Sequence, residues 1–382
     1  MHIGFDAQMA FTNGTGLGHY SRTLLYSLAE LYPAYHFHLF TQEQTDRVRI
    51  NAFKNVQVYA PNAASSAEEK EYWMQYTVID IIEQKGISVY HGLSHELPIG
   101  LPNTPCKSIV TVHDLLHERY PEIFTQKHHS NYTKKLQQAC ADADMVLAIS
   151  EATRQDFEAM YAVPSGKLRV AVQSCNPAFY NRFSKVQLAE IATKYSLPPQ
   201  FYLYVSNILT YKNLMVIVQA MHLLGADSLP LVVLGNGTDY KYQLQQYIQE
   251  HGLTHKVFFV SEMEAANSEG FRHATDLPAI YQLADCLIYP SFFEGWGIPV
   301  LEAMCAQIPV IASNTSSMPE VGGETVFYFD PYSADSLVTA IQQLANKPLV
   351  QENIAKAFQR SKVFNATDCA KRVHDLYTQL LQ

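Results

Sequence analysis

One pattern repeats along this chain and constrains its fold more than any other feature: a short apolar, β-branched or aromatic run, then a longer segment of helical periodicity. Short apolar runs of this length suit strands covered on both faces. The amphipathic segments between them suit the crossover helices that parallel strands require. Strands are predicted at 2–6, 36–41, 56–60, 88–92, 108–113, 145–150 and 168–173, with helices at 18–31, 68–85, 128–141 and 151–161. The second half repeats the order. Strands are predicted at 201–206, 231–235, 257–261, 286–289, 310–312 and 326–329, and helices at 213–224, 240–250, 277–284, 299–306 and 334–345. An α/β chain of βα units is the expectation.

The stretch between Asn176–Pro177 and Pro198–Pro199 reads as polar and irregular, and the linker is placed there. With 382 residues the chain exceeds one usual core, so two Rossmann-like domains are expected, 1–178 and 179–362, with a helix over 363–382 crossing back to the first. Ligands of such sheets bind beyond the carboxyl ends of the strands. Residues placed just after strands are therefore the ones to search.

Composition excludes several classes. A net charge of −9 argues against a nucleic-acid binder, which needs a sustained basic face. The basic run 126–135, with Lys127, His128, His129, Lys134 and Lys135, is a solvated helix face or a docking patch for a membrane. Six scattered cysteines without a CxxC pair point to a reducing compartment, and no apolar window reaches spanning length. A cytoplasmic location is expected, with peripheral contact at the inner membrane face.

The strongest motif is Phe292-Phe293-Glu294-Gly295-Trp296-Gly297-Ile298-Pro299-Val300-Leu301-Glu302, directly after the run 286–289. Pro299 suits the first turn of a helix, and the flanking glycines let backbone approach a ligand closely. A helix N-terminus here offers N–H groups and a positive dipole end to a phosphate. Carboxylates facing a diphosphate would repel it, so Glu294 and Glu302 are read as acceptors for neutral hydroxyls such as those of a ribose and a hexose.

This segment resembles the Glu-x7-Glu signature of the retaining glycosyltransferases often called family 4, which include sucrose synthases, glycogen synthases and bacterial mannosyltransferases. The resemblance implies the GT-B fold, two Rossmann-like domains facing each other across a cleft, with 1–178 expected to bind the acceptor and 179–362 the nucleotide sugar. It assigns Glu294 to donor-sugar hydroxyls, Glu302 to the nucleotide ribose, and the backbone of Gly297, Ile298, Val300 and Leu301 to the sugar and phosphates.

A second signal is the strand-to-helix run Tyr204-Val205-Ser206-Asn207-Ile208-Leu209-Thr210-Tyr211-Lys212-Asn213. A lysine at such a turn places a point charge against a leaving diphosphate. The family commonly has Gly-Arg and, five residues on, Lys, and both basic residues hold the diphosphate. Lys212 matches, whereas Ser206 and Asn207 replace the glycine and arginine, so one cation is missing. Asn207 donates only a neutral hydrogen bond.

The loop Thr12-Asn13-Gly14-Thr15-Gly16-Leu17-Gly18-His19-Tyr20 resembles the family's glycine loop near the donor phosphates, with Gly16 and Gly18 as contacts. His113-Asp114 resembles the strand end whose histidine sits beside the donor sugar; Asp114 either fixes the imidazole tautomer or caps the next turn. Ser150 followed by Thr153 is read as a helix cap. Gly235-Asn236-Gly237, Ser261 and Met263 occupy places where the family lines its base pocket, with an insertion after Met263. The loop 314–317 and Glu320 receive no role.

His113, Lys212 and Glu294 are thus the expected catalytic residues. Gly16, Gly18, Asn207, Ser261, Met263, Gly297, Ile298, Val300, Leu301 and Glu302 are the expected donor contacts. The reaction expected is hexosyl transfer, mannosyl favoured, from a nucleoside diphosphate sugar to a saccharide or lipid-linked saccharide, with retention. No carboxylate pair at glycosidase spacing is recognisable, so attack on the face of the departing phosphate is preferred. No Asp-x-Asp motif stands in a suitable loop; neither metal nor cofactor is expected. The alternatives are a nucleotide-sugar 2-epimerase, a phosphorylase-like enzyme and a non-catalytic sugar-nucleotide-binding subunit. A nicotinamide oxidoreductase fits less well, because the glycines at 14, 16 and 18 lack the dinucleotide spacing.

Overall fold

The thirteen apolar runs read from the sequence are the strands of two parallel sheets in the computed structural model, which describes residues 1–49, 53–161, 163, 164 and 166–382. The chain divides into two compact units, Met1–Ser174 with Phe364–Gln382, and Cys175–Val363.

In the first unit β1 (His2–Asp6), β2 (His36–Phe40), β3 (Val56–Tyr59), β4 (Val89–Gly92), β5 (Lys107–Val112), β6 (Met145–Ala148) and β7 (Leu168–Val170) stand in the order β3-β2-β1-β4-β5-β6-β7. The order reverses beside β1, the mark of a doubly wound sheet. Its crossovers include α1 (Gly16–Leu31) and α2 (Gln126–Asp142), and Ser150 caps α3 (Glu151–Met160) by accepting from the Thr153 N–H at 2.9 Å. The predicted helix 68–85 is a composite. Ala67–Tyr72 and Val78–Gln84 are α-helical, and Trp73–Thr77 between them is a π-helical turn.

In the second unit β8 (Tyr202–Val205), β9 (Leu231–Leu234), β10 (Val257–Phe259), β11 (Cys286–Tyr289), β12 (Val310–Ser313) and β13 (Phe327–Phe329) stand in the order β10-β9-β8-β11-β12-β13. Here α4 (Leu214–Leu224), α5 (Leu277–Leu283) and α6 (Ile298–Ala306) bring the functional segments to the sheet's carboxyl edge. The core beneath joins Tyr204, Leu214, Ile217, Leu231, Val233, Ile288 and Ile311, each wholly buried, which is why these strands are apolar on both faces.

Two expectations need correction. The stretch after Pro177 is not irregular: Lys185–Lys194 is a helix, opened by a capping box in which Ser184 and Gln187 bond each other's backbone. Ser-x-x-Gln was a readable start signal. The boundary also falls at Ser174/Cys175 rather than 178/179, because the turn Pro177–Tyr180 packs within the second unit. Phe179 meets Tyr281 edge-on at 5.1 Å, and the Tyr180 hydroxyl donates to the Ser361 carbonyl at 3.0 Å.

The C-terminal helix Ala366–Leu380 packs against α1 in the first unit. Its Tyr377 hydroxyl is 2.7 Å from Nδ1 of His91, whose Nε2 is 2.7 Å from the Thr111 hydroxyl, so a buried polar chain ties this helix to β4 and β5. All six cysteines are free and buried. No helix among the described residues is long and apolar enough to cross a membrane.

Candidate active site

At the carboxyl edge of the second sheet, chain segments far apart in sequence meet at Glu294. Lys212, in the turn Thr210–Lys212 after β8, donates from Nζ to Glu294 Oε1 at 2.5 Å. The Tyr289 hydroxyl, at the end of β11, donates to the same oxygen at 2.7 Å. Both charged side chains are nearly buried, with 13% and 11% of their surface exposed. Burial with partial desolvation makes the attraction stronger than at an open surface. Both donors go to Oε1, which leaves Oε2 to accept from a ligand hydroxyl.

The backbone around Glu294 is held by the loop after β12. Its N–H donates to the Ser316 hydroxyl at 2.9 Å, and the Ser317 hydroxyl donates to the carbonyls of Glu294 at 2.9 Å and Trp296 at 3.0 Å. Sequence reading assigned nothing to 314–317, and no local pattern distinguishes these serines from turn residues. Asn213 was likewise missed. It is buried, adopts φ +54°, and donates from Nδ2 to the carbonyls of Pro331 at 2.8 Å and Pro290 at 3.1 Å. Asparagine tolerates the left-handed conformation, and its short amide reaches both loops.

Gly297 opens α6 as expected, with φ +98°; a Cβ there would stand 2.4 Å from Met318 Cε. The positive φ is what demands glycine, since the methionine tip can move aside. The N–H groups beyond it are less available than expected. Val300 and Leu301 are wholly buried and both donate to the Gly297 carbonyl, at 3.0 and 3.3 Å, so the helix-end donors open to an anion narrow to Gly297 and Ile298.

Glu302 is also buried, 4% exposed, and accepts from the Tyr281 hydroxyl at 2.7 Å. Burial raises its carboxyl to about 7, only partly offset by that hydrogen bond. Around β8, Asn207 is exposed, and its carbonyl accepts from the Tyr204 hydroxyl at 3.1 Å. Gly235 and Gly237 have a different reason for their small size: a Cβ would stand 1.8 Å from the Ser206 carbonyl oxygen and 2.4 Å from that of Ile208. They let two loops touch. The Ser261 hydroxyl accepts from the Gly235 N–H at 3.1 Å, and Met263 follows it after the short turn Val260–Glu262.

In the first unit the outcome differs. His113 is 5% exposed; its Nε2 lies 2.8 Å from the Leu93 carbonyl, and its Nδ1 lies 2.8 Å from Nε2 of Gln173. The carbonyl fixes the proton on Nε2, and Nδ1 accepts from the amide. Both ring nitrogens are thus bonded inside the unit, to Leu93 and Gln173, whereas the resemblance implies a histidine beside the donor sugar. Asp114 caps the next turn, accepting from the Leu116 N–H at 3.0 Å.

The glycine loop is corrected. Gln8–Thr12 is a short helix and Gly16 already begins α1, so only 13–15 form a loop. Gly18 is small because a Cβ would stand 1.9 Å from the Asn13 carbonyl oxygen. The basic patch on α2 is partly neutralised, since Lys135 pairs with Glu71 at 3.0 Å and Glu96 at 3.3 Å.

Such a site, two carboxylates and a lysine around a glycine-started helix on a doubly wound sheet, suits a neutral polyol joined to an anion. A family model described as "Glycosyl transferases group 1" matches residues 190–361, and one described as "Glycosyltransferase Family 4" matches residues 15–172. The chain belongs to the group 1, family 4 glycosyltransferases. O-antigen chain mannosyltransferase B of Escherichia coli is 27% identical over 300 residues, which cover 76% of this chain and 74% of that protein. The serotype-specific mannosyltransferase WbdA of Escherichia coli is 27% identical over 313 residues, covering 78% of this glycosyltransferase but only 36% of its larger relative. Among solved structures, Anabaena Alr3699/HepE in complex with UDP and glucose aligns over 99% of each chain at TM-score 0.74 and 16% identity. The fold of this glycosyltransferase is accordingly GT-B, with two Rossmann-like domains. Neither sequence relative favours the epimerase, phosphorylase or binding-subunit alternatives.

Proposed function

We propose that this glycosyltransferase moves a mannosyl group from a nucleoside diphosphate sugar to a saccharide hydroxyl of a growing cell-surface polysaccharide, with retention and without a metal. The observation that carries the reading is the Lys212–Glu294 pair, 2.5 Å apart and supported by Tyr289. In the absence of donor the two charges satisfy each other. A bound diphosphate competes for the ammonium, and Glu294 is released towards hydroxyls of the sugar. The mannosyl preference rests on the two relatives, both mannosyltransferases by name.

In the step itself the bond from the anomeric carbon to the leaving phosphate oxygen breaks, and a bond from that carbon to the acceptor oxygen forms on the same face. The acceptor proton passes to the departing phosphate. Lys212, with the N–H groups of Gly297 and Ile298, stabilises the negative charge that gathers on the diphosphate. These are the groups proposed to take the place of a metal ion in that role. Glu302, buried beside Tyr281, is assigned to the ribose hydroxyls, Asn207 to the diphosphate, and Ser261 and Met263 to the base.

The test is incubation of the purified chain with GDP-mannose, UDP-glucose or UDP-galactose and a mannose-terminated acceptor, with and without EDTA. The expected product carries the anomeric configuration of the donor by NMR and forms equally well in EDTA. An inverted product overturns retention, and loss of turnover in EDTA overturns metal independence.

A further inference from the structure

Of the three groups that meet at Glu294 Oε1, two belong to connections and one to the sheet. Lys212 stands in a turn and Glu294 in a loop, whereas Tyr289 is the last residue of β11, in register with Ala312 of β12. β11 runs between β8 and β12 and is bonded on both sides. A side chain carried by an inner strand keeps its place better than one carried by a loop. The Tyr289 residue is 2% exposed, and its hydroxyl donates to Glu294 Oε1 at 2.7 Å. Burial, together with the carboxylate beside it, holds this phenol well above its ordinary value of 10, so it keeps its proton and stays a donor.

Lys212 is the movable partner, because its ammonium ends a flexible four-carbon stem. Nζ lies 2.5 Å from Glu294 Oε1, 4.9 Å from the centre of the Tyr211 ring and 5.9 Å from that of Tyr289. A cation near these ring faces keeps part of its stabilisation when it leaves the carboxylate. The same ammonium is the charge that a bound diphosphate draws away in the transfer proposed above. Glu294 then keeps the Tyr289 hydrogen bond, and its backbone is still held by Ser316 and Ser317. A diphosphate nearby repels the carboxylate, and a side chain released by its lysine would swing away from the anion. A retained donor on Oε1 opposes that swing and leaves Oε2 to the sugar.

We propose that Tyr289 is a positioning residue for the donor sugar: its hydroxyl keeps Glu294 aimed at the sugar hydroxyls once Lys212 has passed to the diphosphate. This inference rests on the proposed glycosyl transfer and divides donor recognition between two partners of one carboxylate. Recognition of the nucleoside diphosphate runs through Lys212, and recognition of the sugar runs through Tyr289 and Glu294. Loss of the Tyr289 hydroxyl therefore weakens a nucleotide sugar and spares the nucleotide alone. A tyrosine that merely supported the fold would weaken both alike.

In the full chain, wild type, Tyr289→Phe, Glu294→Ala and the double variant are titrated calorimetrically with GDP, GDP-mannose, UDP and UDP-glucose. For Tyr289→Phe the expected result is nucleotide affinity within about twofold of wild type and an affinity about tenfold lower for whichever nucleotide sugar the wild type binds. The value of kcat/KM for that donor should fall by about the same factor. In the Glu294→Ala background Tyr289→Phe should change nothing further, because the hydroxyl acts through the carboxylate. Equal losses for nucleotide and nucleotide sugar would overturn the inference, as would no loss for either, or the same selective loss repeated without Glu294. Any of these results in a chain whose wild type binds and turns over a nucleotide sugar defeats the role of Tyr289 alone. A wild type that binds none of the four compounds defeats the transfer reading and this role with it.

Discussion

Lys212 and Glu294 are separated by 82 positions, yet each is the other's nearest opposite charge in an almost closed site. Lys212→Ala should lower kcat/KM by about 10²- to 10³-fold, the usual effect of removing one preorganised charge-stabilising group. It also strands Glu294 without its cation, so the single variant loses stability, and Lys212→Ala combined with Glu294→Ala should regain part of it. Chemical denaturation of both singles and the double measures this coupling; strict additivity would show that the pair contributes nothing. Glu302 makes a pH prediction. Its folded carboxyl binds a proton more tightly than the unfolded one, being raised from 4.5 to about 7. Its contribution to stability is therefore fully present below 4.5 and is lost as pH rises through about 7. Glu302→Gln cannot ionise and escapes that loss. Between pH 5 and 8 the unfolding free energy of the wild type should fall relative to that of Glu302→Gln; parallel curves would refute the raised carboxyl.

Asn213 works through elements rather than ligands, since one amide pins the loops after β11 and β13 at the start of α4. Removing it in Asn213→Ala leaves two carbonyls without their donor and forces alanine to a positive φ. A loss of about 2–4 kcal/mol in denaturant unfolding is expected. Asn213→Gly relieves the backbone and not the hydrogen bonds, so it should recover only part. The C-terminal helix offers a second test. Tyr377 is wholly buried and its hydroxyl reaches His91 at 2.7 Å. Tyr377→Phe keeps the packing against Phe5 but leaves the imidazole unpaired on that side, at a cost of about 1–2 kcal/mol. Full stability in Tyr377→Phe would mean the polar chain from helix to sheet is incidental.

At the scale of the molecule, acid sensitivity is concentrated in the first unit. His91, His95 and His113 are buried there, and burial holds their imidazoles low, at about 3, well below 6.5 and about 4 respectively. Unfolded, each gains its proton near 6.5, so the stability they lend is present above that pH and disappears as pH falls towards 4. Asp6, in the same unit, acts in the opposite sense. Burial raises it to about 7, and its contribution is lost as pH rises. Three histidines outweigh one carboxyl in the window between about 6.5 and 4. Hydrogen exchange measured from pH 7 to 5 should show protection falling in β1, β4 and β5 before it falls in β8, β11 and β12. Uniform loss across both sheets would count against this assignment.

Much of the architecture was legible because its signals are local. Strand periodicity, the capping Ser150, Pro299 within the first turn of α6 and the glycine that α6 needs at 297 all act over a few residues. The Glu-x7-Glu spacing put two carboxylates at one sheet edge for the same reason. What the tertiary structure alone decided is who meets whom. Lys212 is satisfied by Glu294, Ser316 and Ser317 hold the Glu294 backbone, Asn213 clamps two loops, and Leu93 and Gln173 take the ring of His113. Partners of this kind are chosen by packing across strands that are remote in the chain. A polar side chain looks the same in sequence whether its hydrogen bonds go to a ligand or to its own fold.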